Sequence, residues 1–501
     1  MRDAAKNKAG GGYPVQKALK RRKAKYMDTK KPNLLFVFSD QQRWCDLGCY
    51  GNKEVISPNF DRYAEGSAVV DCCVTNAPLC VPIRGTLITG YMPNKHRAAT
   101  NDLPIRHDIK DISCVLRENG YHTGYIGKWH LTGVPRDQYV PSERRFGFSE
   151  WKINNCNHDY LNWNYYDEDN VLHPETTYEP VKLTDLALDF IERKKENPFA
   201  LYLSWSTPHS PYHHMPQKYL DMYRGKPITL RENVQDTMDM LHAEPFGDGY
   251  RLTTKEQDIN FIEEMYRGYY GHITALDEQF GRLVDYLDAN GLSENTIVVF
   301  TSDHGDMLGS HRYIDKQLPH DESARVPLIV RWEGKTVKGY LNEIASLVDL
   351  PETLLSMMGL SFAEKRDGVD LSPMFLEGKP GLDCAYIASH VPCHNACVRP
   401  YGAWRALRSK DYLYAREADT DCTFLFDMKR DPYQLDNLKD DIKYKGQMAE
   451  LKTQLDQKAK SYDDAVMDWR EFLISNNLVE EWDKSQSYFR LPLFESGKLS
   501  W

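Results

Sequence analysis

The sequence predicts an α/β fold in which a large, mostly parallel central sheet is flanked by helices. A smaller C-terminal α+β domain with a short antiparallel sheet is expected to follow it. Three continuous apolar runs, at 33–40, 198–209 and 296–306, have the length and composition of strands that are buried on both faces. Helical patterns, for example at 183–196 and 269–290, separate these runs. Such alternation of strand and helix is typical of a parallel sheet covered by helices.

Polar side chains follow two of these strands. The first run, NLLFVFSD, ends at Asp40 and continues into Gln41, and the third run carries Asp303 and His304 in the stretch SDHGD. Ligands of open α/β sheets bind beyond the carboxyl ends of the strands, so we expect these side chains to meet at one edge. Carboxylates, an amide oxygen and an imidazole can together hold a divalent cation. An aspartate at a strand end is often only a helix N-cap, but two matching strand ends favour a cation site.

The stretch NAPLCVPIRGTLITG, residues 76–90, places Cys80, Pro82 and Arg84 at the start of a predicted helix. Proline is well suited to the first turn of a helix, so Cys80 is expected at or near the N-cap. A helix N-terminus favours an anion, and Arg84, one turn further on, can reach back over the same position. If the motif stood alone, a buried cysteine of low reactivity would be the better explanation of this spacing.

Further cationic groups favour an anion pocket. Lys128 and His130 lie two residues apart in GYHTGYIGKWHL, so that an extended segment would point both to the same side. His209 lies between two prolines at the end of the second apolar run, and Lys316 follows the Asp303 segment. Each could be an ordinary surface lysine or structural histidine. As a set they predict an anion site in which two imidazoles can transfer protons.

The last part of the chain has a different pattern. Residues 404–416 and 422–441 have the pattern of short strands with turns, and an amphipathic helix is predicted over roughly 444–475. The predicted division has three parts: a flexible basic leader (1–31), a catalytic domain (32–385) and a C-terminal α+β subdomain (386–501).

Composition excludes some classes of partner. The 501 residues carry a net charge of −10, which argues against nucleic acid and anionic membrane as partners. The chain contains no apolar run long enough to span a membrane, and residues 1–31 lack the hydrophobic segment of a secretion signal. Met27 could be the native start. We therefore expect a cytoplasmic protein whose 11 cysteines are mostly reduced thiols.

Several of these motifs, in this order, resemble the formylglycine-dependent sulfatases of the alkaline phosphatase superfamily. The resemblance covers about residues 32 to 440 and implies an alkaline phosphatase-like fold. The matching segments are NLLFVFSDQQR, CVPIRGTLITG, GYHTGYIGKWHL, LSWSTPHSPY, VVFTSDHGDMLGSHR and LFDMKRDPYQLDNL.

The resemblance implies a chemistry for Cys80. A maturation enzyme that reads Cys-x-Pro-x-Arg would oxidise Cys80 to formylglycine, whose aldehyde hydrates to a gem-diol. One hydroxyl, activated by the metal, attacks sulfur and expels the alcohol, and the second hydroxyl allows sulfate to leave. A serine would lack that second hydroxyl.

The resemblance also assigns roles to the other candidate residues. The implied metal ligands are Asp40, Gln41, Cys80, Asp303 and His304. Arg84 and Lys128 would hold the oxygens of formylglycine and sulfate, and His130 would act as the base that helps release sulfate. His209 and Lys316 would contact the ester, one of them as the acid for the leaving oxygen.

Gln41 departs from the pattern of many sulfatases, which have a second aspartate at this position. The set Asp, Gln, Asp, His also occurs in phosphonate monoester hydrolases and phosphodiesterases of the same superfamily. Glutamine removes one negative charge from the metal site, so Mn²⁺ is an alternative to the expected Ca²⁺.

The leading hypothesis is a sulfuric ester hydrolase that acts on a sulfated small molecule or glycan fragment. The alternative is a formylglycine-dependent phosphonate monoester or phosphodiester hydrolase. A binding protein for sulfated glycans with an inactive site is a hypothesis from another class, and a two-metal phosphatase is disfavoured because ligands for only one metal are found. Polar and aromatic residues in 153–170 and 213–233 suit a sugar, and 389–404 could add His390, His394 or Arg399.

Overall fold

The computed structural model describes residues 30–234, 255–393 and 402–489, which contain one eleven-stranded and one four-stranded sheet. The strands of the large sheet are β1 (Asn33–Asp40), β2 (Ala68–Val74), β3 (His122–Lys128), β4 (Glu150–Asn154), β5 (Trp163–Tyr166), β6 (Leu172–Glu175), β7 (Phe199–Pro208), β8 (Thr296–Ser302), β9 (Arg325–Val326), β10 (Leu328–Trp332) and β11 (Gly339–Ser346). The strands of the small sheet are β12 (Cys384–Ser389), β13 (Trp404–Ser409), β14 (Tyr412–Glu417) and β15 (Phe424–Asp427).

The α-helices of the described residues lie between and after these strands. They are α1 (Pro58–Glu65), α2 (Cys80–Thr89), α3 (Pro93–His96), α4 (Ile112–Glu118), α5 (Glu179–Lys194), α6 (Gln217–Tyr223), α7 (Lys255–Ala289), α8 (Asp321–Ala324), α9 (Leu350–Met357), α10 (Ser372–Glu377), α11 (Lys445–Ser461), α12 (Trp469–Ser475) and α13 (Val479–Tyr488). Among them, none combines the length and apolarity that crossing a bilayer requires.

The centre of the large sheet is parallel, as the sequence predicts. Its strand order is β11-β2-β10-β8-β1-β7-β3-β4-β5-β6, with β9 paired to β2. The five consecutive strands β8, β1, β7, β3 and β4 run parallel to one another, whereas β10 is antiparallel to β8. The carboxyl ends of five neighbouring strands therefore lie along one edge.

The continuous apolar composition of β1 follows from its burial on both faces. Leu34, Phe36 and Phe38 pack in a core with α2, α4 and α9, whereas Leu35 and Val37 pack on the opposite face with α1, α5 and α7. Successive side chains of a strand point to opposite faces, so only an unbroken apolar run can fill both cores. The predicted α/β class and its covered parallel sheet are confirmed.

The small C-terminal sheet is antiparallel throughout, with the order β12-β13-β14-β15. The predicted domain limit at 385/386 falls inside β12, and the domain limits stay predictions. The single helix expected over 444–475 is wrong, since α11 and α12 are separate helices. Between them the Asp464 carboxylate accepts hydrogen bonds from Arg405 Nε at 2.6 Å and Nη2 at 2.8 Å, which holds the chain in a non-helical turn.

A buried ion pair links the small sheet to the large domain. Asp321, at the start of α8, accepts hydrogen bonds from Arg408 Nε at 2.8 Å and Nη2 at 2.9 Å, and the two side chains are 3% and 7% exposed. Burial alone would raise the pKa of Asp321, but the guanidinium of Arg408 lowers this pKa to about 2. The paired, ionised carboxylate therefore stabilises the folded state.

We expect Asp321→Asn to lower the free energy of unfolding by about 3–5 kcal/mol at pH 7, because it leaves Arg408 buried without its anion. Because the pKa of Asp321 is lower in the folded state, its ionisation stabilises the folded protein at pH values above the pKa of an unfolded aspartate, about 4. This contribution is lost as the pH falls toward 2. The difference between wild type and variant, measured by urea unfolding, should therefore shrink between pH 5 and pH 2.

Asp411→Asn is the control for this experiment, because Asp411 forms an exposed ion pair with Lys429. It should change the free energy of unfolding by about 0.5 kcal/mol or less. If Asp321→Asn lowers the free energy of unfolding no more than this control does, the buried pair of Asp321 and Arg408 does not stabilise the contact between the small sheet and the large domain.

Candidate metal and anion site

The polar side chains expected at the strand ends meet at the carboxyl edge of the parallel sheet. Asp40 is the last residue of β1 and Lys128 the last of β3, while His209 follows β7 directly. Asp303 and His304 follow β8. Because these strands are neighbours in the sheet, residues far apart in sequence converge on one buried site.

Four potential metal ligands form its centre: Asp40, Cys80, Asp303 and His304, each buried, with one ligand atom of each within 4.8 Å of all the others. Cys80 Sγ lies 3.2 Å from His304 Nε2 and 3.8 Å from Asp40 Oδ1. His304 Nδ1 lies 2.9 Å from the carbonyl oxygen of Gly305, so that Nδ1–H donates there and Nε2 presents its lone pair to the cluster.

The donor atoms of this cluster fit a divalent cation. Two carboxylates and an imidazole lone pair converge where burial removes water, which is costly for the carboxylates unless positive charge lies between them. The Cys80 thiol is a soft ligand that Ca²⁺ and Mn²⁺ disfavour. Oxidation of Cys80 to an oxygen-bearing group would make the set suitable for these harder ions.

Cys80 itself begins α2, as the position of Pro82 predicts, and every residue of that helix is buried. Arg84, which the sequence analysis expects to reach back over residue 80, contacts both carboxylates of the cluster. All of its N–H groups have acceptors: Asp303 for Nε and Nη2, Asp40 for Nη2, and the Lys128 carbonyl and Ser204 hydroxyl for Nη1. Arg84 therefore neutralises the two carboxylates and fixes their positions.

Lys128 completes this charge network. Its Nζ lies 2.5 Å from Asp40 Oδ2, and both side chains are fully buried. Burial and Cys80 would raise the pKa of Asp40, but Lys128, His209 and Arg84 together lower it well below its ordinary range. Asp40 is thus ionised at neutral pH and available to a cation.

His130 lies beside this network with its ring almost unexposed. Neither ring nitrogen has a hydrogen-bond partner among the described residues, and Nε2 lies 3.6 Å from Asp102 Oδ1. Burial would lower the pKa of His130, but Cys156, Asp102 and Cys80 raise it to about 10. Two unsatisfied ring nitrogens in a buried site indicate that His130 is available to a ligand.

His209 and Lys316 form a hydrogen bond whose donor and acceptor can be assigned. His209 Nδ1 lies 2.8 Å from the Ser210 carbonyl, to which its N–H donates, so Nε2 accepts a hydrogen bond from Lys316 Nζ at 2.7 Å. Burial, followed by the charge of Lys316, lowers the pKa of His209 to about 4. Lys316 Nζ also donates to Gln41 Oε1, which connects this pair to the predicted metal ligands.

Four residues of the site were missed or left without a role by the sequence analysis. The ring of His158 stacks on that of His209, with centroids 4.4 Å apart, and Cys156 Sγ lies 3.7 Å from His158 Nε2. Both belong to the polar stretch 153–170. Asp306 belongs to SDHGD, whereas Asp102, which forms a bidentate pair with Arg136, has no local signal.

His390, a candidate from the C-terminal part of the chain, contacts Asp464 and not the residues of the site. His390 Nε2 lies 3.0 Å from Asp464 Oδ2, and the His390 ring is buried in the C-terminal subdomain. His394 and Arg399 lie outside the described residues.

Comparisons with known proteins find similar proteins along most of this chain. A family model described as Sulfatase matches residues 32–360, and one described as N-sulphoglucosamine sulphohydrolase, C-terminal, matches residues 309–461. An ulvan-active sulfatase of Formosa agariphila is 34% identical over 461 residues, which cover 90% of this chain and 85% of the relative. An N-acetylglucosamine-6-O-sulfatase of Bacteroides thetaiotaomicron is 28% identical and covers 89% of each chain. The crystal structure of yidJ from Bacteroides fragilis aligns with a TM-score of 0.76 and 28% identity, over 88% of this chain and 97% of that one.

We expect Ca²⁺ or Mn²⁺ to raise the melting temperature of chelator-treated protein, because an ion that binds only the folded state stabilises it by about 2.7 kcal/mol at a concentration of 100 times Kd. Asp303→Asn should abolish this rise, since it removes a charged ligand atom from the cluster. Differential scanning calorimetry with and without each ion measures both effects. A melting temperature that neither ion changes would contradict the metal site.

Proposed function

The chain belongs to the sulfatase family and is a sulfuric ester hydrolase, and we propose that it hydrolyses a sulfate monoester on a carbohydrate through a formylglycine formed from Cys80. The observation that carries this proposal is the convergence at one buried point of Cys80, two carboxylates and a set of proton-transferring cations. The sulfatase relatives that act on sugars support a glycan fragment as the substrate. A formylglycine-generating enzyme is the implied maturation partner.

A formylglycine at position 80 and a divalent cation would supply part of the chemistry. Oxidised to formylglycine and hydrated, residue 80 supplies a nucleophilic hydroxyl and a second hydroxyl through which sulfate is released. A divalent cation held by Asp40, Gln41, residue 80, Asp303 and His304 would supply positive charge that favours the ionised nucleophile and offsets the charge of the sulfate.

The protein keeps the reacting region positively charged. Arg84 is saturated by the carboxylates, so Lys128, His130 and Lys316 are left to face an anionic ester. Lys128 is held by Asp40 at 2.5 Å and cannot swing away. Preorganised charges of this kind stabilise charge that develops on sulfate oxygens without any reorganisation of water.

Proton transfer to the leaving group is assigned by the direction of hydrogen bonds. A sugar alkoxide is a strong base and needs a proton as the S–O bond breaks. The Nε2 atom of His209 accepts from Lys316, so the transferable proton lies on the Lys316 ammonium, and His209 orients that ammonium. His130 lies 3.6 Å from Asp102, and its raised pKa keeps it protonated at neutral pH, so we assign it to holding the sulfate oxygens.

Specificity for a sugar is supported by the segment after β4. His158 and Cys156 reach the site from this segment, because β4 runs parallel to β3 and ends beside Lys128. The backbone N–H of Trp129 donates to the Asn154 carbonyl at 2.9 Å, which ties the two strand ends together. Polar side chains and imidazole rings at this place suit the hydroxyl groups and faces of a sugar ring.

The alternative reaction is hydrolysis of a phosphonate monoester or phosphodiester, which the glutamine at position 41 favours. Two measurements on protein from its native host test the proposal: a peptide mass tests the maturation of Cys80, and substrate kinetics decide between the two reactions. The mass of the peptide that contains Cys80 should correspond to formylglycine, and kcat/KM for sulfate esters should exceed that for phosphonate esters. A large preference for the phosphonate would overturn the sulfatase proposal, and Cys80→Ala should abolish either activity.

We expect Lys316→Met to lower kcat about 10²–10⁴-fold for a sugar sulfate, because it removes the acid for the leaving alkoxide. The loss should be much smaller for a nitrophenyl sulfate, whose leaving group needs no proton. Steady-state kinetics on both substrates measures this difference. Lys410→Met is the control, since Lys410 is an exposed lysine paired with Glu343. Equal losses on the two substrates would contradict the assignment of Lys316 as the acid.

A further inference from the structure

Gln41 is bonded at every polar atom, which is unusual for a residue whose side chain is expected to ligate a metal. Its backbone N–H donates to Asp303 Oδ1 at 2.9 Å, and its carbonyl accepts from the Tyr269 hydroxyl at 2.6 Å. The side-chain Nε2 donates to Asp306 Oδ2 at 2.6 Å, and Oε1 accepts from Lys316 Nζ. Its backbone φ is 69°, a left-handed conformation that these contacts stabilise.

These partners decide which way the amide points. The oxygen and nitrogen of a glutamine amide have nearly the same shape, so only their hydrogen-bond partners distinguish the two orientations. Rotation of the Gln41 amide by half a turn would place its NH₂ against the Lys316 ammonium and its oxygen against the Asp306 carboxylate. Two charge-assisted hydrogen bonds would be replaced by two repulsive contacts.

Asp306 is itself held firmly. Its Oδ1 accepts from the backbone N–H of Leu308 at 3.0 Å, and its Oδ2 accepts from the Tyr212 hydroxyl as well as from Gln41. Tyr212 also lies 3.4 Å from Gln41 Nε2. The Asp306 side chain is fully buried, and these three groups are donors, as a carboxylate acceptor requires.

We propose that Asp306, supported by Tyr212, is a positioning residue that turns the side-chain oxygen of Gln41 away from itself and toward the site, so that position 41 offers a cation an oxygen and not an NH₂ group. This inference rests on the proposed function, because it assigns Gln41 to the cation site. Asp306 touches neither the substrate nor the reacting atoms and acts through Gln41.

The same arrangement explains how glutamine can serve at this position. An aspartate at position 41 would bring a negative charge to the cation directly. Here the negative charge is on Asp306, which lies behind Gln41 as seen from the cation site. It polarises the amide of Gln41 through a hydrogen bond of 2.6 Å. Because Lys316 Nζ donates to the oriented oxygen and to His209, the amide also fixes the ammonium beside its imidazole partner.

The test is the affinity of the full-length chain for Ca²⁺ and, separately, for Mn²⁺, measured by isothermal titration calorimetry on variants prepared in one maturation state. Asp306→Asn should weaken binding at least tenfold, in line with the 10–100-fold cost of losing a partner that orients a metal ligand. Tyr212→Phe should weaken binding less, since Asp306 keeps its contacts with Gln41 and Leu308. Asp306→Asn with an affinity within threefold of wild type would overturn the inference, as would a wild type that binds neither ion.

A double-mutant cycle separates orientation from charge. In Gln41→Glu the new carboxylate faces that of Asp306, so this variant should bind no more tightly than wild type. When Gln41→Glu is combined with Asp306→Asn, the asparagine can donate a hydrogen bond to the glutamate. The double variant should therefore bind the ion at least tenfold more tightly than the summed binding free-energy changes of the two single variants predict. Additive effects would overturn the inference, because they would mean that the two side chains act independently.

The matched control is Asp277→Asn. Asp277 is also buried, and it accepts from the Asn59 side-chain amide and from the backbone N–H groups of Asn59 and Phe60, away from the cluster. It should lose stability without a change in ion affinity, whereas an equal loss of affinity in this control would overturn the role of Asp306. A wild type that binds the ion but hydrolyses no sulfate ester would overturn the proposed function and leave this inference standing.

Discussion

The contact of Arg84 with Asp40 and Asp303 is the interaction on which the rest of the site depends. Two carboxylates that converge in a buried site repel each other, and the guanidinium bridges them from α2 with hydrogen bonds of 2.9–3.1 Å. Removal of one partner from a buried ionic group of this kind costs about 3–5 kcal/mol. The same helix carries Cys80 at its first residue, so the bridge also fixes the position of Cys80 relative to the two carboxylates.

The parallel sheet provides the frame for this bridge. Five neighbouring strands end along one edge, and three of them, β1, β3 and β8, end at or beside a side chain whose charge would be unfavourable if buried alone. Lys128 from β3 and Asp40 from β1 neutralise each other, and His209 from the end of β7 receives a proton donor in Lys316. The strand ends thus form one network in which Asp40, Lys128 and Asp303 each have an oppositely charged partner.

In the proposed function, the network has two sides with different roles. On one side, Arg84 is committed to the two carboxylates and holds the proposed cation site in place. On the other side, Lys316, His209 and His130 retain groups that can exchange protons. Gln41 connects the sides, since its amide lies between Asp306 and Lys316. A change at the cation site is therefore expected to reach the proton donor through a single side chain.

The sequence by itself determined the class of fold, the strands with residues on both faces buried, and the edge at which the polar residues lie, because these depend on local composition and on period-two burial. The Cys-x-Pro-x-Arg spacing likewise determined that Cys80 begins a helix. Only the tertiary structure decided the partners of each charge. Arg84 was expected to hold an anion and is saturated by two carboxylates, one of them 219 residues away in sequence. The contact of Asp306 with Gln41 and the break between α11 and α12 at Asp464 have the same origin, since each depends on a hydrogen bond to a distant residue that no local pattern encodes.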